Sequence, residues 1–341
     1  MVKISDVAAV AGLSTATVSR ALNNHPSVNP EMAARARAAA DRLGYRPNRV
    51  AQSLRRQASD VIALIISDVS NPFFTAVTRG VEDVASKAGL SVLLCNADED
   101  PMKEARYLAI AEQQQVAGVI LSPHAVSSDV SRLLALGVPL VVIDRPLHAA
   151  VDTVLVESIG GARDAVQHLV NSGWTRVACI TGPEDAATAQ QRLQGYLQAV
   201  PHRPLFEYEA FSSAGGARAA ARLLDAEEPP NAFFTANAQM ALGLLAELRQ
   251  RKLAVGIDVG VITFDDTPWA PLVTPSLSVV AQPAYEIGAD AADLLVSRIT
   301  DDPVGPRKHL TLPTRLVIRG SSRASTVGAS SASPEAALLL G

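Results

Sequence analysis

From Val61 onward the chain repeats one pattern, short continuous apolar runs separated by amphipathic stretches of helix length. The runs are Val61 to Ile66, Leu90 to Cys95, Val116 to Leu121, Leu140 to Asp144, Thr153 to Val156, Val177 to Thr181, Ala232 to Thr235, Val261 to Phe264 and Ser276 to Val280. A strand that is apolar at every position has both faces covered, and strands joined through helices run parallel. The pattern therefore demands parallel sheets clad in helices on both sides. So many runs strain one twisted open sheet, and 341 residues exceed a single core, so two doubly wound lobes are expected.

The first 45 residues have a different texture, with no strand-like run and three short helical patterns. Ile4, Val7, Ala8 and Ala11 fall at helical spacing and Gly12 ends the first helix at a tight turn. Ser14 caps a second helix, Thr15 to about Leu22, which turns Val18, Ala21 and Leu22 inward and leaves Thr15, Ala16, Ser19 and Arg20 outside. Asn29, Pro30 and Glu31 open a third helix through an Asx cap, a proline at the first position and an acid in the first turn. Gly44 stops it.

Net charge is −4, which alone would argue against nucleic acid, but the charge is unevenly placed. Residues 1–56 carry nine Lys or Arg and three Asp or Glu, a surplus of +6, while the rest carries −10. A basic head on an acidic body is expected when only the head meets phosphates. No stretch of eighteen apolar residues marks a membrane span and no apolar h-region follows the amino terminus, so a cytoplasmic protein without a membrane partner is expected.

The run Ile4 to Asn23, then Val28 to Arg37, Leu43 to Asn48 and Ala51 to Leu54, resembles the head of the lactose repressor family of bacterial regulators. The likeness continues through Asn71-Pro-Phe-Phe74, Val142-Ile-Asp-Arg145, Arg192 to Tyr196, Phe264-Asp-Asp266 and Gln282, to about Arg319. It implies an α-helical helix-turn-helix head plus an α/β two-lobed body like that of periplasmic binding proteins, built on two doubly wound parallel sheets. The divisions are a head over 1–45, a hinge helix or linker over 46–58, and an effector-binding and dimerisation body over 59–320. Within the body the amino lobe takes about 59–157 and 283–314, the carboxy lobe about 158–282. The Ala, Ser and Gly-rich tail 321–341 reads as disordered.

By that resemblance Thr15 and Ala16 read bases in the major groove, and their small side chains suit close approach. Ser14, Thr17, Ser19 and Asn23 suit phosphate contacts, and Arg20 reaches a guanine edge. The family pairs two hinge helices in the minor groove, where Leu54 matches the wedge between base steps and Ala51 the helix contact, and Asn48 is a further DNA-binding position. A homodimer on a near-palindromic operator follows.

The same resemblance places a small-molecule effector, a sugar or sugar derivative, between the lobes, with a purine-type ligand as the alternative. Polar residues at the carboxyl ends of strands suit such a cleft: Asp144, Asn237, Asp265, and Arg192 and Gln282 beside them. Phe73, Phe74, Phe211 and Trp269 supply aromatic faces. Arg145 is weaker than these, with a plain charge on the lobe surface as its alternative. Ala238 stands where the family carries an acid after the asparagine, Lys3 replaces a hydroxyl cap, and the segment 200–207 is shortened, which displaces the edge strand and Phe211.

No Walker sequence, G-x-S-x-G elbow or His and Cys pair at ligand spacing is present, so neither an enzyme, a metal nor a cofactor is expected. The six histidines are scattered. Cys95 and Cys179 end apolar runs and read as core thiols. Asp265 and Asp266, adjacent at a strand end, should point apart.

Overall fold

The computed structural model describes residues 4–22, 28–45, 59–201, 203–300 and 305–323. They fall into two units, Met1–Ser59 and Asp60–Gly341.

Among the described residues the first unit holds three helices, α1 (Ile4–Ala11), α2 (Thr15–Leu22) and α3 (Pro30–Leu43). Their shared core is mostly alanine with Val7 and Val18, so the helices approach closely. The caps lie where the sequence puts them. Asn29 accepts from the Glu31 amide at 2.8 Å and Gly44 closes α3 at φ 62°. Gly12 turns the chain at φ 61°, and Arg35 donates to the Ala11 carbonyl at 2.7 Å, tying α3 to the end of α1.

The second unit contains two six-stranded sheets. In chain order it runs β1 (Val61–Ile66), α4 (Pro72–Lys87), β2 (Ser91–Asn96), α5 (Pro101–Gln113), β3 (Gly118–Leu121), α6 (Ser131–Ala135), β4 (Leu140–Ile143) and β5 (Asp152–Val156). The carboxy lobe follows with α7 (Ser158–Asn171), β6 (Val177–Thr181), α8 (Ala187–Ala199), β7 (Leu205–Tyr208), α9 (Ser213–Leu224), β8 (Ala232–Thr235), α10 (Ala238–Gln250), β9 (Gly260–Phe264) and β10 (Ser278–Ala281). The chain then returns through α11 (Ala284–Thr300) and β11 (His309–Leu312) and ends in β12 (Arg315–Val317).

The orders β11-β5-β4-β3-β1-β2 and β12-β10-β9-β8-β6-β7 are the same arrangement used twice. Every strand pair is parallel except β10 with β12. Apolar clusters cover both faces of each sheet, which is why the central strands are apolar at every position. The chain crosses between lobes three times, after β5, after β10 and between β11 and β12.

Some expectations need correction. β7, β11 and β12 form no continuous apolar run because they are edge strands with one side in solvent. Ser321 and Ser322, expected to begin an unstructured tail, are buried in a short helical turn. Their small size lets them enter the carboxy lobe, where Ser321 Oγ donates to the Val261 carbonyl and Trp174 donates to the Ser322 carbonyl. Cys95 and Cys179 are free, buried thiols, and burial pushes both up from the ordinary thiol range. Among the described residues no helix is long and apolar enough to cross a membrane.

Candidate functional site

In the first unit α2 presents the face that the sequence assigns to DNA. Val18 and Ala21 are buried, while Ser14, Thr15, Ala16 and Arg20 are exposed, Thr17 is half-buried, and Ser19 lies on the helix between them. Ser14 Oγ accepts from the Thr17 amide at 3.0 Å and lies 2.8 Å from its hydroxyl, so the capping residue also fixes the start of the helix. The start of α2 offers free amides and a positive dipole end, which suits a phosphate. Asn23, Asn48, Ala51 and Leu54 lie outside the described residues.

In the second unit one narrow cavity lies between the two sheets, at the carboxyl ends of their strands. Eight of the nine residues singled out for an effector line it: Phe73, Phe74, Asp144, Arg192, Phe211, Asn237, Asp265 and Gln282. Asp68, Asn71, Glu99, Arg145 and Thr188 join them. The space between these walls is about 20 Å3, close to what one water needs.

The two aspartates hold equivalent places. Asp144 follows β4 and Asp265 follows β9, each the third strand in its sheet, and both have left-handed backbones, φ 63° and 75°. Such a conformation costs an ordinary residue about 1–3 kcal/mol and is found where side chains are aimed at a site. Both carboxylates are buried. Burial raises both from the ordinary carboxylate range, opposed by Arg145 and Arg192 at Asp144 and by Arg192 and the Gln282 amide at Asp265.

Arg192 stands on α8, with Nη1 donating to the Ala236 carbonyl at 2.6 Å and its guanidinium 4.0 Å from the Phe264 ring. Burial lowers it, against the pull of Asp265 and Asp144. Gln282 sits on the second crossing between lobes and donates to Asp265 Oδ1 at 2.5 Å. Three buried polar atoms of this wall have no hydrogen-bond partner: Arg145 Nε, Arg192 Nε and Gln282 Oε1. Two donors and an acceptor, beside carboxylates, match the alternating donor and acceptor character of hydroxyl groups.

The aromatic rings come from three places. Asn71 accepts from the Phe73 amide at 3.0 Å and so starts α4, placing Phe73 and Phe74 edge to face at 4.9 Å. Phe211 follows β7 and lies over Gly182, where an added Cβ would be 2.1 Å from its Cζ. The shortened segment before β7 therefore does not displace it from the cavity. Its ring is also 5.7 Å from the Arg145 guanidinium.

Arg145 belongs to the cavity wall. It is 3% exposed rather than a surface charge, because Glu99 takes Nη1 and Nη2 at 2.8 and 2.5 Å. Burial lowers the guanidinium but these hydrogen bonds outweigh it and hold it above the ordinary arginine range. Trp269, grouped with the pocket aromatics, packs against the carboxy-lobe core instead, where its large apolar ring leaves water. Asn71, not singled out from the sequence, precedes a proline in the way of a helix cap, and that signal could have found it. Asp68 and Glu99 follow β1 and β2 and carry the same strand-end signal as Asp144. Asp266 does point away from Asp265, to Arg319 at 2.8 Å.

A small three-helix reading head joined to a two-lobed body with a polar and aromatic cleft defines a ligand-regulated DNA-binding protein. Residues 3–48 match the family described as bacterial regulatory proteins, lacI family, and residues 166–322 a periplasmic binding protein-like domain. The chain is 36% identical over 332 residues to the ribose operon repressor of Escherichia coli (strain K12), covering 94% of this chain and 100% of that protein. Among solved structures it resembles a lac repressor dimer bound to operator and the anti-inducer ONPF, at 27% identity and TM-score 0.84, over 95% of this chain and 99% of that one. A LacI family regulator from Enterococcus faecium with bound ribose matches at 30% identity and TM-score 0.70, over 76% of this chain and 98% of that one. The chain belongs to the lacI family and is a transcriptional regulator that binds DNA.

Proposed function

We propose that this protein is a cytoplasmic operator-binding repressor, acting as a homodimer, whose effector is the pentose ribose. The observation that carries the reading is the cleft wall: the equivalent aspartates Asp144 and Asp265, the Nε donors of Arg145 and Arg192, and three phenylalanine rings. Carboxylates and single N–H donors suit ring hydroxyls, and the rings suit the C–H faces of a sugar. The ribose operon repressor of Escherichia coli and the ribose-bound regulator of Enterococcus faecium support the choice of sugar.

The cavity is too small for a pentose with the walls where they stand, so the sugar enters when the lobes part about their three crossings. One direct bridge across the cleft is the Gln239 amide, which donates to the Ser70 carbonyl at 3.0 Å. If operator-bound and sugar-bound forms prefer different lobe angles, each ligand changes affinity for the other by the same factor. In this proposal the two heads of the dimer read the halves of a near-palindrome, and residues 46–58 act as a hinge with Leu54 as the minor-groove wedge.

Isothermal titration of the full chain with D-ribose, alongside an electrophoretic shift on the operator of its own promoter, tests the reading. Saturable 1:1 binding that alters the operator midpoint is expected. Absence of a binding isotherm at millimolar ribose would refute the sugar assignment.

A further inference from the structure

The two site arginines differ in what is left free. Arg145 is 3% exposed, and both of its outer nitrogens are taken, by Glu99 and, through Nη1 at a longer 3.4 Å, by the His124 carbonyl. Only Nε lacks a hydrogen bond; it faces Asp144 Oδ2 at 3.6 Å. A guanidinium recognises phosphate or carboxylate through a two-pronged fork, and a lone Nε–H offers no fork.

Glu99 is placed for this task by its backbone. It follows β2 on a loop where Asp98 and Glu99 take consecutive left-handed conformations, φ 59° and 52°. Its amide donates to the Ser67 carbonyl at 2.9 Å, which locks the loop against the end of β1. The carboxylate reaches Arg145 across 46 residues of sequence and also lines the cavity. The wall then holds four carboxylates, Asp68, Glu99, Asp144 and Asp265, against two guanidinium groups.

We infer that Glu99 is a specificity-determining residue of the cleft: by occupying the fork of Arg145 it removes one of the two guanidinium groups that could hold a phosphate, leaves only the Nε edge of Arg192, and biases the site toward the uncharged pentose over phosphorylated sugars. The inference rests on the ribose reading and adds to it a residue and a mechanism of exclusion. Glu99 acts through Arg145, so its effect on anions depends on that guanidinium.

The test is isothermal titration of the full-length protein with D-ribose, D-ribose 5-phosphate and α-D-ribose 1-phosphate. Like charges brought together in a binding site cost several kcal/mol, so the wild type should bind either phosphate at least about 100-fold more weakly than ribose. Glu99→Gln keeps the shape, removes the charge and loosens the clamp, and should narrow that gap at least about tenfold. The double variant Glu99→Gln with Arg145→Met should restore the wide gap. A Glu99→Gln protein with the wild-type ratio, or a gap that narrows equally without Arg145, overturns the role of Glu99. The wild-type ratio needs no variant: a wild type that takes a ribose phosphate as tightly as ribose overturns the exclusion while leaving a pentose site in place. No binding of any of the three overturns the ribose reading and this inference with it.

Discussion

Glycine at 182 leaves room for the Phe211 ring, and filling that room with one methyl group is a sharp test of the cleft. The Cβ of Gly182→Ala would lie 2.1, 2.3 and 2.6 Å from Phe211 Cζ, Cε1 and Cε2, so the ring and not the backbone meets it. Carbon contacts settle near 3.5–4.0 Å, so the ring must retreat by about 1.5 Å. Phe211 is half-buried and packs against the edge of the carboxy-lobe core, so the fold should lose about 1–3 kcal/mol as the ring shifts. The space it swings into or vacates is the cavity wall, where about 20 Å3 remains. Displacing an aromatic worth about 1.5–3 kcal/mol of burial should weaken ribose by roughly 10- to 100-fold. Titration calorimetry with ribose and a thermal melt measure the two effects, with operator binding of the sugar-free protein kept as the control. If Phe211 mediates the loss, Gly182→Ala adds little on top of Phe211→Ala. Ribose affinity within threefold of wild type, or fully additive losses, would refute the placement of the ring.

Other outcomes follow from the same structure. Asp152 is fully buried and takes a bidentate pair from Arg298 at 2.8 Å, so Asp152→Asn should destabilise by about 3–5 kcal/mol at neutral pH in urea melts by leaving a buried cation. Arg298 and the Lys308 amide outweigh burial and hold Asp152 below the usual carboxylate range, so its contribution is present above the unfolded value near pH 4 and is lost as pH falls further. The variant should lack that acid-side loss. Burial raises Asp144 and Asp265 instead, so their protonated forms stabilise the sugar-free fold as pH falls, while hydroxyl groups of the sugar need the ionised forms. Ribose affinity should therefore decline as pH is lowered, with proton release on binding, measurable by calorimetry in buffers of different ionisation enthalpy; a flat profile down to the acid limit of the fold would contradict it. Leu54→Ala should retain ribose binding and lose most operator affinity in shift assays, and unchanged operator affinity would remove the wedge.

Much of this molecule is written locally. Strands covered on both faces must be apolar throughout, and the first polar residue after such a run lies at the carboxyl edge of a parallel sheet, where the cleft is. That rule locates Asp144, Asn237 and Asp265 from sequence, and the helix caps at Ser14, Asn29 and Gly44 follow from neighbours only a few positions away.

What stayed hidden depends on partners far along the chain. Arg145 is indistinguishable from a surface arginine until Glu99, 46 residues away, neutralises it inside the wall. Trp269 looks like a pocket ring until the carboxy-lobe core claims it, and Ser322 looks like tail until Trp174, 148 residues away, takes its carbonyl. Local chemistry determines which elements form and which residues end them, because caps and periodicity act within a turn or a strand. The burial of a charge and the direction of a ring are decided only when the two sheets close around them, because the compensating groups come from other elements.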